Sequence, residues 1–154
     1  MTGKFAGVGR AARWLALLGA MAASGGAFAA QEGGVPMPAL SGAVEWLNSP
    51  PLTRESLRGK VVLVDFWTYG CINCQRSLPY VNAWAKKYAK EGLVVIGVHT
   101  PEYEEERVIE NVRQQVKKLG IEYPVAIDNN SVIWRAFDNQ YWPCLLYTSP
   151  SPRD

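Results

Sequence analysis

Two cysteines separated by two residues, Cys71 and Cys74, could do chemistry that no other pair in the chain could. Such a dithiol can close a disulfide and pass two electrons to a partner, or it can supply part of a zinc site. The pair follows directly on Val61-Val62-Leu63-Val64-Asp65-Phe66-Trp67. That run is near-continuously apolar and β-branched, as a strand buried on both faces is. The residues after the pair read as a helix, so both cysteines fall at a strand-to-helix turn. Free backbone N–H groups and the positive end of the helix dipole favour a thiolate there. A zinc ion needs two more ligands, and apart from Cys144 only His99, the single histidine, is a plausible soft one. Thiol–disulfide exchange is therefore the preferred chemistry, and no metal is expected.

The elements that must position this pair follow from pattern. The helix after it carries Cys74, Leu78, Val81, Ala85 and Tyr88 on one face, is interrupted by Pro79, which should kink it, and is stopped by Gly92. Leu93 to Val98 reads as a second buried strand. Glu104 to Leu119 reads as one amphipathic helix with Val108, Val112, Val116 and Leu119 inward. Its opening Glu104-Glu105-Glu106 reads as a solvated helix start favoured by the dipole. Pro124 to Ile127 is a third strand, Asp128-Asn129-Asn130 a turn with an N-cap candidate, and Ser131 to Phe137 a short helix. Strands alternating with helices imply an α/β domain with parallel pairing.

The ends read differently. Lys4, Arg10 and Arg13 precede an apolar stretch from Trp14 to Ala23, and Ala27-Phe28-Ala29 is a small-x-small cleavage site. Residues 1–29 are thus expected to be a secretion signal, the alternative being an N-terminal membrane anchor. Removing them leaves 14 acidic against 13 basic residues, a net charge of −1 in place of +2. No basic stripe remains, and nucleic acid is not an expected partner. Three cysteines are too few to staple a secreted scaffold. Residues 30–52, rich in Gly and Pro, read as a linker with at most a short strand near Val44 to Leu47, and the domain proper is expected at 53–143. From Cys144 the segment CLLYTSPSPRD shows neither helical nor strand periodicity. Its codons can be written as a common transposase sequencing adapter, so residues 144–154 are expected to be a translated artefact.

Asp65-Phe66-Trp67, then Cys71-Ile72-Asn73-Cys74, then Pro79 resembles the thioredoxin superfamily in motif and spacing. More narrowly, Phe66 to Cys74, Gly97-Val98-His99-Thr100-Pro101-Glu102 and Asn139-Gln140-Tyr141-Trp142-Pro143 resemble the secreted TlpA/DipZ-type thioredoxin-like proteins, with Pro101 to Ile127 matching the helix and strand this branch inserts. The resemblance implies a thioredoxin-like α/β fold with parallel central strands. Its closing hairpin and last helix, which follow the cis-proline in that family, are expected to be missing after Pro143. It makes Cys71 the exposed nucleophile, Cys74 the buried resolving thiol and Asp65 a buried carboxylate that accepts the Cys74 proton. Pro143 becomes the cis-proline facing the dithiol. Trp142, Tyr69 and Ile72 would meet substrate, with Trp67 and Pro79 as structural support. Tyr69-Gly70 and Ile72-Asn73 depart from the residues usual at those places, which leaves the redox direction open. His99 and Glu102 stand at the sheet edge where α/β sites gather, with structural and site-tuning roles both open.

The expected function is that of an exported, periplasmic thiol–disulfide oxidoreductase needing no organic cofactor. Its expected partners are exported cysteine-containing proteins, with a membrane thiol relay as the electron source. Two alternatives stand beside it: a peroxiredoxin-like thiol peroxidase, for which Thr68-Tyr69-Gly70-Cys71 has the right spacing, and a binding domain whose disulfide is inert.

Overall fold

Three short apolar runs build the centre of the molecule, β2 (Val61–Trp67), β3 (Leu93–His99) and β4 (Val125–Ile127), paired in parallel with Trp67 opposite His99 and His99 opposite Ile127. The computed structural model describes residues 37–148. The secretion-signal reading of residues 1–29 and the last residues of the tail lie outside them. Parallel strands need helical crossovers, and the intervening sequence supplies α1 (Ile72–Lys87) and α2 (Ile109–Lys118). The sheet is completed by β1 (Glu45–Leu47), antiparallel to β4, and β5 (Cys144–Thr148), antiparallel to β2, in the order β1-β4-β3-β2-β5. Among the described residues no helix is long and apolar enough to cross a membrane.

The two-residue period of the strands divides the core between two faces. Trp67, Val95, Val125 and Ile127 pack with Cys74, Leu78 and Val81 of α1 and with Val112 and Val116 of α2. Val62, Val64, Phe66, Ile96, Val98 and Ala126 face the other way, against Met37, Leu40, Leu57 and Ile133 of the short α3 (Val132–Ala136). Cys74, Leu78 and Val81 recur at helical spacing, which places the C-terminal cysteine of the pair in the core. Pro79 lies inside α1, which continues to Lys87, and a single 3₁₀ turn then leads to Gly92 in the left-handed conformation at φ 91°. That backbone favours glycine and ends the helical segment.

Three expectations are corrected. Residues 37–52 are no loose linker: Met37 and Leu40 are buried, and β1 lies along β4 with the N–H of Val44 donating to the carbonyl of Ile127 at 2.8 Å. Gly42 takes the left-handed φ of 119° in a turn on the domain. Glu104 to Leu119 is not one helix. A 3₁₀ turn, Glu104–Arg107, is broken from α2 by extended Val108, which is 50% exposed and not inward. The break follows from Glu106, whose carboxylate is turned into the protein to accept backbone hydrogen bonds, and the chain must restart its helix afterwards. Third, Cys144–Thr148 is a strand. Cys144 and Leu146 pack inward while Leu145 and Tyr147 are exposed. The alternation is there, but it is hidden in sequence because the outward positions are apolar as well.

α3 is held by Asp128. Its buried carboxylate accepts from the N–H groups of Ile133 at 3.1 Å and Trp134 at 2.8 Å. This satisfies orphan donors of the first turn. The nominal N-cap Ser131 makes no side-chain cap.

Candidate active site

Cys71 is the N-cap of α1, with extended backbone, and its Sγ accepts a hydrogen bond from the Cys74 N–H at 3.2 Å. It is partly exposed, Cys74 is fully buried, and both are free thiols. The strand-to-helix turn thus separates the two sulfurs by environment. Cys71 meets solvent and the unpaired N–H end of a helix, an arrangement suited to an attacking thiolate. Cys74 is shut in, and burial, together with its contact to Cys71, pushes its thiol well up. It needs a base before it can act.

Asp65 supplies a candidate. It sits on the same face of β2 as Trp67, fully buried, and burial raises its carboxyl to about 7, with the Tyr123 hydroxyl drawing it partly back. Neither Asp65 oxygen completes a hydrogen bond, nor does the Tyr123 hydroxyl or Trp67 Nε1. With the Tyr123 hydroxyl near but short of hydrogen-bond geometry, burial dominates, and the carboxyl holds its proton more readily than a solvated one. Its opposite number in the register is Gly97. The space there is needed: a Cβ on Gly97 would lie 2.9 Å from Trp67 Nε1 and 3.1 Å from a ring carbon of Tyr123.

The Trp142–Pro143 peptide bond is cis. β5 pairs Cys144 with Phe66, so Pro143 reaches the C-terminal end of β2, the end that carries the dithiol. Trp142 is partly buried against the same core as Cys74, donates from Nε1 to the carbonyl of Thr100 at 3.1 Å, and lies 4.3 Å, ring to ring, from Trp134. Ile72, the first residue of α1, is 57% exposed and offers apolar surface beside Cys71. Tyr69 is partly buried. It stacks on His99 at 5.7 Å and donates from its hydroxyl to the carbonyl of Glu105 at 2.9 Å.

His99 is buried between Tyr69 and the edge of Trp67, with Nε2 3.4 Å from the Thr68 hydroxyl. Burial lowers it to about 4, so it is a neutral wedge under the turn at physiological pH. Glu102 is exposed, and its backbone N–H donates to Glu106 Oε2 at 2.7 Å. The acidic side chain that reaches the turn is Glu106, which the charge pattern of its own segment places in solvent. It is 1% exposed and its Oε1 accepts from the Gly70 N–H at 2.9 Å. Its Oε2 accepts from the N–H of Tyr103, the residue before the 3₁₀ turn, at 3.1 Å, but with no Ser, Thr, Asp or Asn at the cap the sequence carries no capping signal for it. Among the described residues no group of His, Cys, Asp and Glu is gathered as a metal site requires.

Known proteins match this geometry. The profile of the AhpC/TSA family covers residues 36–146. Over 109 residues the chain is 54% identical to protein DipZ of Mycobacterium bovis, spanning 69% of this chain but only 16% of that protein. It is 35% identical over 109 residues to the thiol-disulfide oxidoreductase YkuV of Bacillus subtilis, covering 70% of this chain and 72% of that one. The solution structure of a thioredoxin-like protein in its oxidised form superimposes with a TM-score of 0.68 at 32% identity, over 77% of this chain and 81% of the other.

Proposed function

Because the chain belongs to the AhpC/TSA family, as a TlpA/DipZ-like member of the thioredoxin superfamily, we propose that it is an exported thiol–disulfide oxidoreductase working through Cys71 and Cys74. The observation that carries this reading is the division of labour at the start of α1: an accessible sulfur receiving a helix N–H, and a buried one beside it. The Cys71 thiolate attacks a partner disulfide, forms a mixed disulfide and expels one partner thiolate. Cys74 gives its proton to Asp65 and attacks Cys71 Sγ. The Cys71–Cys74 disulfide forms, and the second partner thiol leaves. Two electrons pass to the partner, and the reverse sequence oxidises a partner dithiol.

Pro143 and Trp142 face the partner chain in this reading, with Tyr69 and Ile72 as its apolar rim, while Trp67 and Pro79 support the turn. Partners are exported cysteine-containing proteins, and a membrane thiol relay returns the electrons. Export rests on the leader-like residues 1–29. No organic cofactor enters the exchange.

The peroxidase reading requires the Thr68 hydroxyl to serve Cys71. Thr68 is buried and its hydroxyl is taken up by His99 and Glu106, which favours exchange with disulfides. Reduction of insulin by the dithiothreitol-charged protein tests the proposal. Acceleration that is lost in Cys71→Ser is expected. Peroxide consumption by Cys74→Ser without any insulin reduction by the parent would favour the peroxidase. A reduction potential below about −300 mV would mark an inert structural disulfide.

A further inference from the structure

The peptide unit between Tyr69 and Gly70, one residue ahead of Cys71, is held at both ends. Its carbonyl accepts from Gln75 Nε2 on α1 at 2.7 Å, and its N–H donates to Glu106 Oε1 on the 3₁₀ turn at 2.9 Å. The other oxygen of Glu106 accepts from the N–H groups of Glu102 at 2.7 Å and Tyr103 at 3.1 Å. Burial alone would raise this carboxyl. Hydrogen bonds from the Thr68 hydroxyl and from the Glu102, Tyr103 and Gly70 backbone outweigh it and keep the group ionised. The inserted segment is tied to the turn a second time by the Tyr69 hydroxyl on the Glu105 carbonyl, which also accepts from Asn111 Nδ2 at 3.0 Å.

Gly70 fits this arrangement for a steric reason. A Cβ there would sit 2.5 Å from Glu106 Oε1, closer than any real contact, so the carboxylate occupies the space a side chain would take. Charge-assisted bonds of this kind are short and strong, and a carboxylate engaged on both oxygens swings away only by giving up three partly buried backbone bonds.

We propose that Glu106 is a positioning residue: its carboxylate latches the inserted 3₁₀ turn to the Tyr69–Gly70 peptide and so fixes the direction in which Cys71 Sγ meets a partner disulfide. This rests on Cys71 being the nucleophile. The latch also puts a fixed negative charge beside the turn. Removing that charge relieves repulsion on any negative charge at Cys71 Sγ, which only the reduced state can carry, and so makes the dithiol more oxidising.

Glu106→Ala, Glu106→Gln, Gly70→Ala and Gly70→Ala/Glu106→Ala, made in the full chain, test it. Two quantities are read in each: the single-turnover rate of Cys71 with dithiobis(nitrobenzoate), and the equilibrium of the dithiol with glutathione. Glu106→Ala is expected to slow the first by about tenfold, as a misplaced reacting group does. It is expected to shift the second toward the reduced protein by about tenfold, close to 30 mV. Gly70→Ala slows the reaction on its own but adds little once Glu106 is alanine, because the clash is gone. Should Glu106→Ala not fold, Glu106→Gln keeps the volume and is read in the same way. Rates and equilibria within about twofold of the parent, or a Gly70→Ala effect equal in both backgrounds, would overturn the latch. The nitrobenzoate reaction needs only a thiol. A parent that reacts with it but fails to reduce insulin would count against the functional proposal and not against the latch.

Discussion

The Cys74 N–H points at Cys71 Sγ across 3.2 Å, so the residue proposed to resolve the mixed disulfide also holds the sulfur proposed to attack. The contact belongs to the backbone. It survives substitution of the Cys74 side chain, while the Cys71 side chain cannot be replaced without losing both the acceptor and the nucleophile.

Cys71→Ser should therefore abolish disulfide reduction, and Cys74→Ser should retain the first attack and accumulate mixed disulfides. Non-reducing gels after exposure to a disulfide-bonded partner show the trapped species. Iodoacetamide labelling of the reduced parent at neutral pH should fall on Cys71, which is partly exposed, rather than on Cys74, which is buried with its thiol pushed up. Preferential labelling of Cys74 would reverse the assignment.

Asp65→Asn should slow resolution more than attack. General base assistance contributes up to roughly 10²–10⁴-fold, and Asp65, raised to about 7, is the buried carboxyl proposed to serve Cys74. In the parent the resolution rate should rise through about pH 7, and the inflection should vanish in the variant. Stopped-flow traces of both steps decide the matter. Equal slowing of the two, or of neither, removes Asp65 from the proton path.

How much of this is legible in the chain varies by element. β2, β3, α1 and the dithiol at their junction are readable because periodicity and a motif agree. Asp65 is readable as buried because apolar residues flank it on the strand. Glu106 is not. An acidic run at a helix start is ordinarily solvated, and only the approach of Gly70 from a distant turn draws this one inward. Val108 misleads for the same reason: helical spacing places it inward, but the turn needed to aim Glu106 leaves it as an extended, exposed residue. Met37 and Leu40 sit among Gly and Pro, so no local pattern announces that they pack with Ile133. β5 is made by the open edge of β2, a tertiary cause that its own apolar residues do not reveal.

Gly97→Ala should destabilise the domain by about 1–3 kcal/mol, the cost of forcing an extra carbon into a filled core. The new Cβ meets Trp67 Nε1 at 2.9 Å and Tyr123 at 3.1 Å, and both rings are packed in the core beneath α1. Tyr123 borders Asp65, so the variant should also disturb the pH profile of resolution, read in the same stopped-flow experiment. A melting curve within error of the parent would show that the site has slack the structure denies.

Asp65 and His99 give opposite pH slopes to stability. Asp65 is raised from 3.8 to about 7. Between those values the folded chain holds a proton that the unfolded chain lacks, so its contribution is fully present below 3.8 and is lost as pH rises through 7. His99 is lowered from 6.5 to about 4. The unfolded chain takes the proton first, so its contribution is present above 6.5 and is lost as pH falls through 4. Over the shared window, from about pH 4 to 6.5, the two contributions oppose each other and largely cancel. Removing either should expose the other. Asp65→Asn should lose stability steadily as pH falls through this window and gain most over the parent at about pH 8, above the range in which Asp65 titrates. His99→Phe keeps a ring between Trp67 and Tyr69 and should instead gain stability relative to the parent as pH falls. Each slope is worth on the order of 3–4 kcal/mol across its window, since a tenfold change in proton affinity on folding is about 1.4 kcal/mol. Urea titrations at about pH 4.5, 6 and 8 measure both, because these values lie within and above the shared window. Parallel profiles for the parent and the two variants would mean that neither group changes its proton affinity on folding.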